Sequence, residues 1–526
     1  MIKSKNFIAR AFSLLLVITI LLTNLQAQKC QKYHSDNGDG TFTNPVIPAD
    51  FPDPDVIRVG DTYYMVTTTM FIFPGVTILK SKDLVNWEYC CNAVPRFDFS
   101  PCYNLDGCNR YGHGQWATSM RYHNGTFYLL FITLDEGGFL CSAKKAEGPW
   151  EIKQLPKGFY DPGLFFDDDG RIYVAYGYGK IYLTELDQNF APISQDSLIY
   201  TGDLRSGLEG THVYKINDYY YLYCTYGGVD GIQVTLRSPN IYGPYEQKVA
   251  IRDTMPGVTY GVHQGALIQT QAGEWWTMLF VDSGPFGRFP SLQPVTWVDG
   301  WPIVGVDGKG VVTYRKPDVG KQHPIKTLPT SDEFKDKILG MQWGWNHNPD
   351  DSRWSLTQRP GYLRLVTGKV VASLPEARNM LTQRIFACYD QTIPTIGITK
   401  MEVGKMKDGD VAGLAVFQKP YAFIAVKQEN GIRKLIMVNN GETIAGAPMK
   451  GETVFLRAIA SNRTKKACFE YSYDNIEFIQ LGNELLMEFS LKIFTGNKFG
   501  LFNYATKESG GYVDFDWFRT AMGLSN

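Results

Sequence analysis

Three carboxylates in the first half of the chain have surroundings that suit acid–base chemistry. Asp53 lies between two prolines in the segment ADFPDPDV, Asp161 precedes a proline in YDPGLFF, and Glu209 is close to two glycines in SGLEGTHVY. Prolines limit the backbone and remove amide donors, so such a segment suits fixing a side chain more than extending a sheet. Two carboxyl groups in one pocket could hydrolyse a glycosidic bond: one takes a proton from water and the other protonates the leaving oxygen.

The elements that position these residues are indicated by a repeat. A turn followed by aromatic residues and a strand-like run occurs five times, at 60–64, 125–128, 170–173, 218–221 and 273–276. The copies are about 45 to 65 residues apart, which is the size of a four-stranded propeller blade. We find no long stretch with helical periodicity after the N-terminal segment. The sequence therefore predicts an all-β fold with a five-bladed β-propeller.

Equivalent positions in the five copies carry the residues of interest. Counting back 11 to 13 residues from the last aromatic of each copy leads to Asp53, Trp116, Asp161, Glu209 and His263. Equivalent positions of successive blades form a ring around the axis of a propeller, so these side chains should share one pocket. Taken singly, each has an ordinary explanation, such as a solvated turn aspartate or a structural histidine, and His263 could also bind a metal. The shared spacing favours the pocket.

The types of the three carboxylates suggest a division of roles. Asp53, held between prolines, suits the general base, and Glu209, with its longer side chain, suits the general acid. Asp161 would orient the acid and raise its pKa, because neighbouring like charges make a carboxyl group harder to ionise. The inverting form of this reaction predicts that the carboxyls of Asp53 and Glu209 are about 6.5–9.5 Å apart.

Several longer segments resemble glycoside hydrolase family 43. In the first part these are ADFPDPDVIRVGDTYYMVTTTMFIFPGVTILKSKDLVNWE, YDPGLFFDDDGRIYVAYG, EGTHVYKINDYYYLYCTYGG and QPVTWVDGWPIVG. NHNPDDSRWSLTQRPGYLRL, ARNMLTQRI and GGYVDFDWFR resemble the β-sandwich of its β-xylosidase and α-L-arabinofuranosidase branch. The resemblance implies an inverting, exo-acting glycosidase, and it gives the three carboxylates the roles argued above. It also implies substrate-binding roles for Trp116, His263, Arg288, Met70 and Phe73.

Two segments depart from the family pattern. Where the best-known xylosidases have Phe-Glu-Trp-Phe, this chain has Met70-Phe71-Ile72-Phe73, which predicts a more apolar pocket edge. A sandwich loop that brings a phenylalanine to the active site in those enzymes reads here as Gly496-Asn497-Lys498-Phe499, so that contact is not carried over. We predict release of terminal α-L-arabinofuranosyl residues from hemicellulose side chains. The alternatives are a β-D-xylosidase, a dual activity, or a non-catalytic carbohydrate-binding propeller.

The N-terminus has the pattern of a signal peptide. Basic residues precede an apolar run over 11–22, and small or polar residues follow up to Ala27. Residues 1–27 are therefore predicted to be removed on export, giving a periplasmic or secreted protein without membrane insertion of the mature chain. Lipoprotein anchoring through Cys30 is disfavoured, because Lys29 precedes it where small residues are preferred. Cys102 and Cys108 could form a disulfide in an oxidising compartment.

Length and composition indicate two domains and a carbohydrate partner. We expect a propeller over 28–315, a linker over 316–333 and a concanavalin-like β-sandwich over 334–526, the sandwich being a scaffold rather than a separate carbohydrate-binding module. A net charge of −1 favours neither nucleic acid nor an acidic membrane surface. An oligosaccharide is the expected substrate, with no cofactor required and no metal at the site. A structural calcium ion in the sandwich is compatible with the sequence, but no spaced carboxylate loop demands one.

Overall fold

The computed structural model describes residues 33–203, 207–228, 230–255, 261–388 and 393–523. The predicted signal peptide, residues 1–27, lies outside this range. The fold is all-β, and the helices of the described residues are four short 3-10 turns: Pro101–Asn104, Gly284–Phe286, Asp351–Arg353 and Leu374–Glu376. No helix in the described ranges is long and apolar enough to cross a bilayer.

The first part of the chain forms a five-bladed propeller. Its strands are, in chain order, β1 (Thr41–Thr43), β2 (Asp55–Val59), β3 (Thr62–Thr67), β4 (Ile72–Phe73), β5 (Gly75–Ser81), β6 (Trp87–Val94), β7 (Ser119–His123), β8 (Thr126–Thr133), β9 (Gly137–Ala143), β10 (Glu151–Gln154), β11 (Gly163–Phe166), β12 (Ile172–Tyr176), β13 (Lys180–Leu186), β14 (Ser197–Thr201), β15 (Leu208–Ile216), β16 (Tyr219–Tyr226), β17 (Ile232–Ser238), β18 (Glu246–Ile251), β19 (Val262–Gln269), β20 (Trp275–Asp282), β21 (Arg288–Val298), β22 (Trp301–Val304) and β23 (Thr313–Arg315). The blades are the antiparallel sheets β2-β3-β5-β6, β7 to β10, β11 to β14, β15 to β18 and β19 to β22. β1 pairs with β23, so the two ends of the propeller sequence meet.

The repeated sequence signal is the hairpin between the first two strands of each blade. In the first blade, Gly60 has a φ of 62° in the turn between β2 and β3, a conformation that glycine adopts without steric cost. The aromatic Tyr63 that follows is fully buried, as is its counterpart Tyr173 in the third blade. The signal therefore combines a turn residue with a buried aromatic residue at the start of the second strand. The first strand of each blade lies just before this turn.

The second part is a β-sandwich of two sheets. Its strands are β24 (Trp343–Asn346), β25 (Trp354–Ser355), β26 (Leu363–Val366), β27 (Leu381–Arg384), β28 (Thr395–Lys405), β29 (Asp410–Phe417), β30 (Ala422–Glu429), β31 (Ile432–Asn439), β32 (Glu442–Pro448), β33 (Thr453–Ser461), β34 (Lys466–Ser472), β35 (Ile479–Gln480), β36 (Leu485–Leu486), β37 (Lys498–Ala505) and β38 (Tyr512–Met522). One sheet has the order β32-β31-β30-β29-β37-β27-β24-β4, and the other has the order β25-β26-β38-β28-β33-β34-β35, with β36 beside β34. The first sheet thus ends on β4, a strand from the propeller part of the chain.

Two further contacts shape the region near the site. Phe73 in β4 is paired with Trp345 in β24, so the segment after the first hairpin is held by the sandwich. Cys102 and Cys108 form the disulfide that their spacing allows. It closes a short loop, and the chain then runs through Tyr111 to the propeller residue Trp116.

Candidate active site

The three carboxylates lie at the starts of three innermost strands. Asp53 and Asp161 each come two residues before a strand, β2 and β11, and Glu209 is the second residue of β15. Asp53 and Asp161 are buried and have left-handed backbones, with φ of 54° and 47°. Such conformations cost about 1 kcal/mol or more in a non-glycine residue, and they are concentrated at functional sites. The sequence predicted the positions of these residues but not their strained backbones.

The three carboxylates lie close enough for their charges to interact. Burial, together with the nearby carboxylates of Glu209 and Asp53, holds the pKa of Asp161 well above its usual range. The backbone N–H of Gly210 donates to Asp161 Oδ2 at 3.1 Å, which links the loop of one blade to the inner strand of the next. The structure therefore brings together the three carboxylates that the sequence repeat placed in phase.

Glu209 has the environment of a general acid. Burial raises its pKa to about 7; the Asp53 charge acts in the same direction, and the hydroxyl of Tyr160 and the Arg288 charge oppose it. The Tyr160 hydroxyl donates to Glu209 Oε2 at 3.2 Å. Gly227 makes room for the carboxyl group, because a Cβ there would lie 2.5 Å from Glu209 Oε1. A carboxyl group with this pKa still carries its proton in mildly acidic solution, where it could protonate a leaving oxygen.

Asp53 is fixed by an ion pair with Arg288. The guanidinium donates from Nη1 to Asp53 Oδ1 at 2.8 Å, and both side chains are buried. The Nε and Nη2 atoms of Arg288 have no hydrogen-bond partner among the described residues. Buried donors are normally satisfied, so these two groups are suited to bind hydroxyls of a ligand. This is the role that the family resemblance implies for Arg288.

Aromatic rings close the pocket from two domains. Trp116 stacks on Phe494 with ring centroids 4.8 Å apart. The ring of Tyr160 lies 5.9 Å from that of Trp116, on the Glu209 side. The Arg288 guanidinium lies 5.0 Å from the ring of Phe494, which comes from the sandwich. The sequence of residues 496–499 put a sandwich phenylalanine at this site in doubt, but the structure places one there: Phe494, two residues before that segment. Phe489 lies near the same guanidinium, at 5.9 Å.

His263 lies beside the Arg288 end of the pocket. Its Nδ1 is 3.1 Å from Thr225 Oγ1, and its Nε2 is 3.5 Å from Asp282 Oδ2. Its ring packs against Phe280 at 4.7 Å, and Phe280 also lies under the Arg288 guanidinium. Contact between His263 and a sugar stays a prediction. Within the described ranges, no group of three or more His, Cys, Asp and Glu side chains is arranged to hold a metal ion.

Met70 and Phe73 do not line the pocket as the sequence predicted. Met70 is fully buried and packs with Ile493 behind Trp116 and Phe494. Phe73 is 1% exposed and stacks on Phe97 at 5.8 Å, in the core of the first two blades. The physical reason is the pairing of β4 with the sandwich, which turns this segment into the joint between the domains. These residues therefore support the pocket wall from behind.

Comparison with known proteins identifies the family of this chain. The family model described as "Glycosyl hydrolases family 43" matches residues 42–302, and the model "Beta xylosidase C-terminal Concanavalin A-like domain" matches residues 331–521. A protein described as "Beta-xylosidase" from Formosa agariphila is 34% identical over 97% of this chain and 97% of its own. The chain belongs to glycosyl hydrolase family 43.

Other family 43 members show the range of activities around this chain. The "Non-reducing end alpha-L-arabinofuranosidase BoGH43B" of Bacteroides ovatus is 31% identical, over 91% of this chain and 94% of its own. A solved structure, "Bifunctional GH43-CE Bacteroides eggerthii", has a TM-score of 0.85 and 38% identity over 94% of this chain. This chain spans 64% of that longer one. The protein is accordingly a family 43 glycosidase with the concanavalin-like domain.

Proposed function

We propose that this protein releases single terminal pentosyl residues from hemicellulose oligosaccharides, with inversion, and that it accepts both α-L-arabinofuranosyl and β-D-xylosyl groups. The observation that carries the proposal is the pocket shared by three carboxylates, in which Asp53 is ion-paired with Arg288 and burial raises the pKa of Glu209 to about 7. One carboxylate and one carboxylic acid can therefore coexist near neutral pH. That pair is what inverting glycoside hydrolysis needs.

The proposed reaction uses Asp53 as a carboxylate and Glu209 as a carboxylic acid. Asp53 takes a proton from a water molecule as the water oxygen forms a bond to the anomeric carbon. The bond from that carbon to the glycosidic oxygen breaks, and Glu209 gives its proton to the departing oxygen. Asp161 accepts from the Gly210 N–H next to Glu209, so it would help to orient the acid, while burial and the Glu209 and Asp53 charges raise the pKa of Asp161 itself. The unpaired donors of Arg288 would hold sugar hydroxyls during the step.

Acceptance of both sugars is supported by two considerations. Arabinofuranose and xylopyranose present nearly superposable hydroxyls, and the relatives named above include a beta-xylosidase and an alpha-L-arabinofuranosidase. The preference for arabinofuranose rested on an apolar pocket edge at residues 70–73. Since Met70 and Phe73 are buried behind the pocket, that argument loses its basis, and we include both sugars.

The test is an assay of nitrophenyl α-L-arabinofuranoside and nitrophenyl β-D-xyloside side by side. We expect turnover of both, and a loss of about 10²- to 10⁴-fold in kcat for Asp53→Asn. Asp169→Asn is the matched control, since Asp169 is exposed and pairs with Arg171 in a hairpin turn. Turnover of only one glycoside would overturn the dual specificity. Absence of turnover on both, with sugar binding retained, would overturn the assignment as an enzyme.

Action outside the cytoplasm is part of the proposal. The disulfide between Cys102 and Cys108 is of a kind that persists in oxidising compartments. The signal-peptide pattern of residues 1–27 points the same way.

A further inference from the structure

Two adjacent cysteines lie at a β-bulge in β6, the outermost strand of the first blade. Tyr89 pairs with Leu79 of β5. The next β5 residue towards the N-terminus, Ile78, pairs with Cys91, so Cys90 is an extra residue that faces no partner in β5. Successive side chains of a regular strand point to opposite faces, but both cysteines pack against the same hydrophobic cluster, between the first two blades. The bulge therefore brings two neighbouring thiols to one face of the sheet.

The two thiols contact each other and differ in their access to solvent. Cys90 is buried, at 6% exposure, whereas Cys91 is half-buried. Contact with Cys91, together with burial, raises the pKa of Cys90, and contact with Cys90 lowers the pKa of Cys91. The Cys91 Sγ also donates to the carbonyl oxygen of Ala146 at 3.1 Å. A reagent in solution therefore meets Cys91 first, and Cys90 is in place to react with whatever forms on Cys91.

Two charged side chains face this pair. The Glu147 carboxylate interacts with the Cys90 thiol and pairs with Lys80 Nζ at 3.2 Å. Both side chains are partly exposed, so protons can pass between this corner and solvent. Thiol–disulfide exchange proceeds through the thiolate, and a base beside the buried thiol can take the proton that Cys90 must lose.

A disulfide between chain neighbours is strained. Consecutive Cα atoms across a trans peptide bond are about 3.8 Å apart. The Cα atoms of most disulfides are about 4.4–6.8 Å apart, and departures from this range make the bond easier to reduce. The Cys102–Cys108 disulfide, with Cα atoms 4.7 Å apart, lies within the range. A bond between Cys90 and Cys91 should accordingly be the more easily reduced of the two.

We propose that Cys90 and Cys91 form a reversible disulfide in an oxidising compartment, so that the bulge is a redox-modified site separate from the active site. The Cys91 thiolate attacks one sulfur of a disulfide oxidant, either oxidised glutathione or an exported thiol–disulfide oxidoreductase. A mixed disulfide forms, and the second sulfur of the oxidant leaves as a thiol. Cys90 then gives its proton to Glu147 or water and attacks the Cys91 sulfur, which expels the first sulfur of the oxidant as a second thiol. The cysteine pair loses two electrons and two protons, and the oxidant gains both.

Trypsin separates this pair from the other cysteines. Residues 83–96 and 97–110 are adjacent tryptic peptides; the first contains Cys90 and Cys91 as its only cysteines, and the second contains Cys102 and Cys108. The purified protein is equilibrated in glutathione buffers from reducing to oxidising and unfolded in acid. Free thiols are then blocked with iodoacetamide, and the peptides are analysed by mass spectrometry.

We expect both peptides to lose two hydrogens and to take up no label in oxidising buffers. Half-oxidation of the 83–96 peptide should require a ratio of oxidised glutathione to the square of reduced glutathione that is at least about tenfold higher than for the 97–110 peptide, because its ring is strained. Cys141, which is fully buried in the same cluster, should be labelled in every buffer.

Single variants test the order of attack. Cys90→Ser removes the second thiol, so Cys91 should accumulate one glutathione adduct in oxidising buffer. In Cys91→Ser, the buried Cys90 should stay largely unmodified under the same conditions. Equal adduct formation in the two variants would contradict the proposed order.

The proposal is overturned if the wild-type 83–96 peptide takes up two labels in the most oxidising buffer while the 97–110 peptide is oxidised. It is also overturned if the wild type keeps a glutathione adduct without closing the ring, or if the 83–96 peptide is cross-linked to the peptide that contains Cys141. Because the readout is peptide mass, these outcomes do not depend on whether the protein hydrolyses pentosides.

Discussion

At the scale of single residues, the protonation of Glu209 should set the alkaline limit of activity. Burial raises the pKa of this group to about 7, and a general acid works only while it carries its proton. The plot of kcat/KM against pH should therefore fall above about pH 7. Tyr160→Phe removes a donor that stabilises the ionised carboxylate of Glu209, so the pKa of Glu209 should rise. The alkaline fall in kcat/KM should then move to higher pH by about half a unit to one unit.

A pH profile with a nitrophenyl glycoside measures both effects. Tyr122→Phe is a suitable control, because Tyr122 is 43% exposed on a strand of another blade. A limb that stays in place, or moves to lower pH, in Tyr160→Phe would show that Glu209 is not the group that titrates.

At the scale of elements, a second buried carboxylate joins the strands that carry the site. Asp55 is the first residue of β2 and is fully buried. It accepts from the Met120 N–H at 2.7 Å and from Arg121 Nη1 at 2.8 Å on β7, and it lies 3.2 Å from His212 Nδ1 on β15. The Arg121 and His212 charges outweigh the effect of burial and lower the pKa of Asp55. The strands that follow Asp53 and Trp116 are thereby tied to the strand that carries Glu209.

Removing this carboxylate should be strongly destabilising. In Asp55→Ala the guanidinium of Arg121, which is only 14% exposed, would lose its carboxylate, and breaking a buried ion pair typically costs about 3–5 kcal/mol. We expect a clear drop in the denaturant midpoint at pH 7. Asp61→Ala, which removes an exposed partner of Lys82, should leave the midpoint unchanged. Equal midpoints for the two variants would contradict the structural role of Asp55.

The sequence predicted the elements better than their contacts. The hairpin signal located the region where each inner strand begins, because the strand starts 9 to 14 residues before the last aromatic of the signal in every blade. It could not reveal that Asp161 and Gln264 have left-handed backbones, with φ of 47° and 51°, since neither residue type requires one. It misassigned Phe73 because an apolar run does not say which sheet it joins. Phe494 was missed because its contact with Trp116 spans the two domains.

At the scale of the whole molecule, the pocket belongs to both domains. Asp50, three residues before the proposed base, accepts from the backbone N–H of Arg288 at 3.0 Å and from that of Gly496 at 2.7 Å. Lys498 in the sandwich lies 3.5 Å from the same carboxylate, and burial lowers the pKa of that lysine to about 8. One carboxylate thus fixes the Arg288 backbone and the sandwich segment that follows Phe494.

Truncating the sandwich phenylalanine should impair substrate binding. Phe494→Ala removes the ring that stacks on Trp116 and underlies Arg288, so we expect kcat/KM for nitrophenyl glycosides to fall by about tenfold, mostly through a higher KM. Ile479→Ala, at a 53% exposed sandwich position, serves as the control. Unchanged kinetics in Phe494→Ala would show that the sandwich does not contribute to the pocket.

The sharing of β4 has a practical consequence for dividing this protein. Residues 72–73 complete the edge of a sheet whose other strands all come after residue 342. A chain ended in the connecting segment would lose the partner of β4 and expose Ile72 and Met70, which pack with the sandwich residue Ile493. A chain begun there would leave β24 as an unpaired edge. Unpaired edges of this kind invite association between copies. Either half expressed by itself is therefore expected to self-associate. Sites for dividing the chain are better chosen in surface hairpins than at the apparent domain boundary.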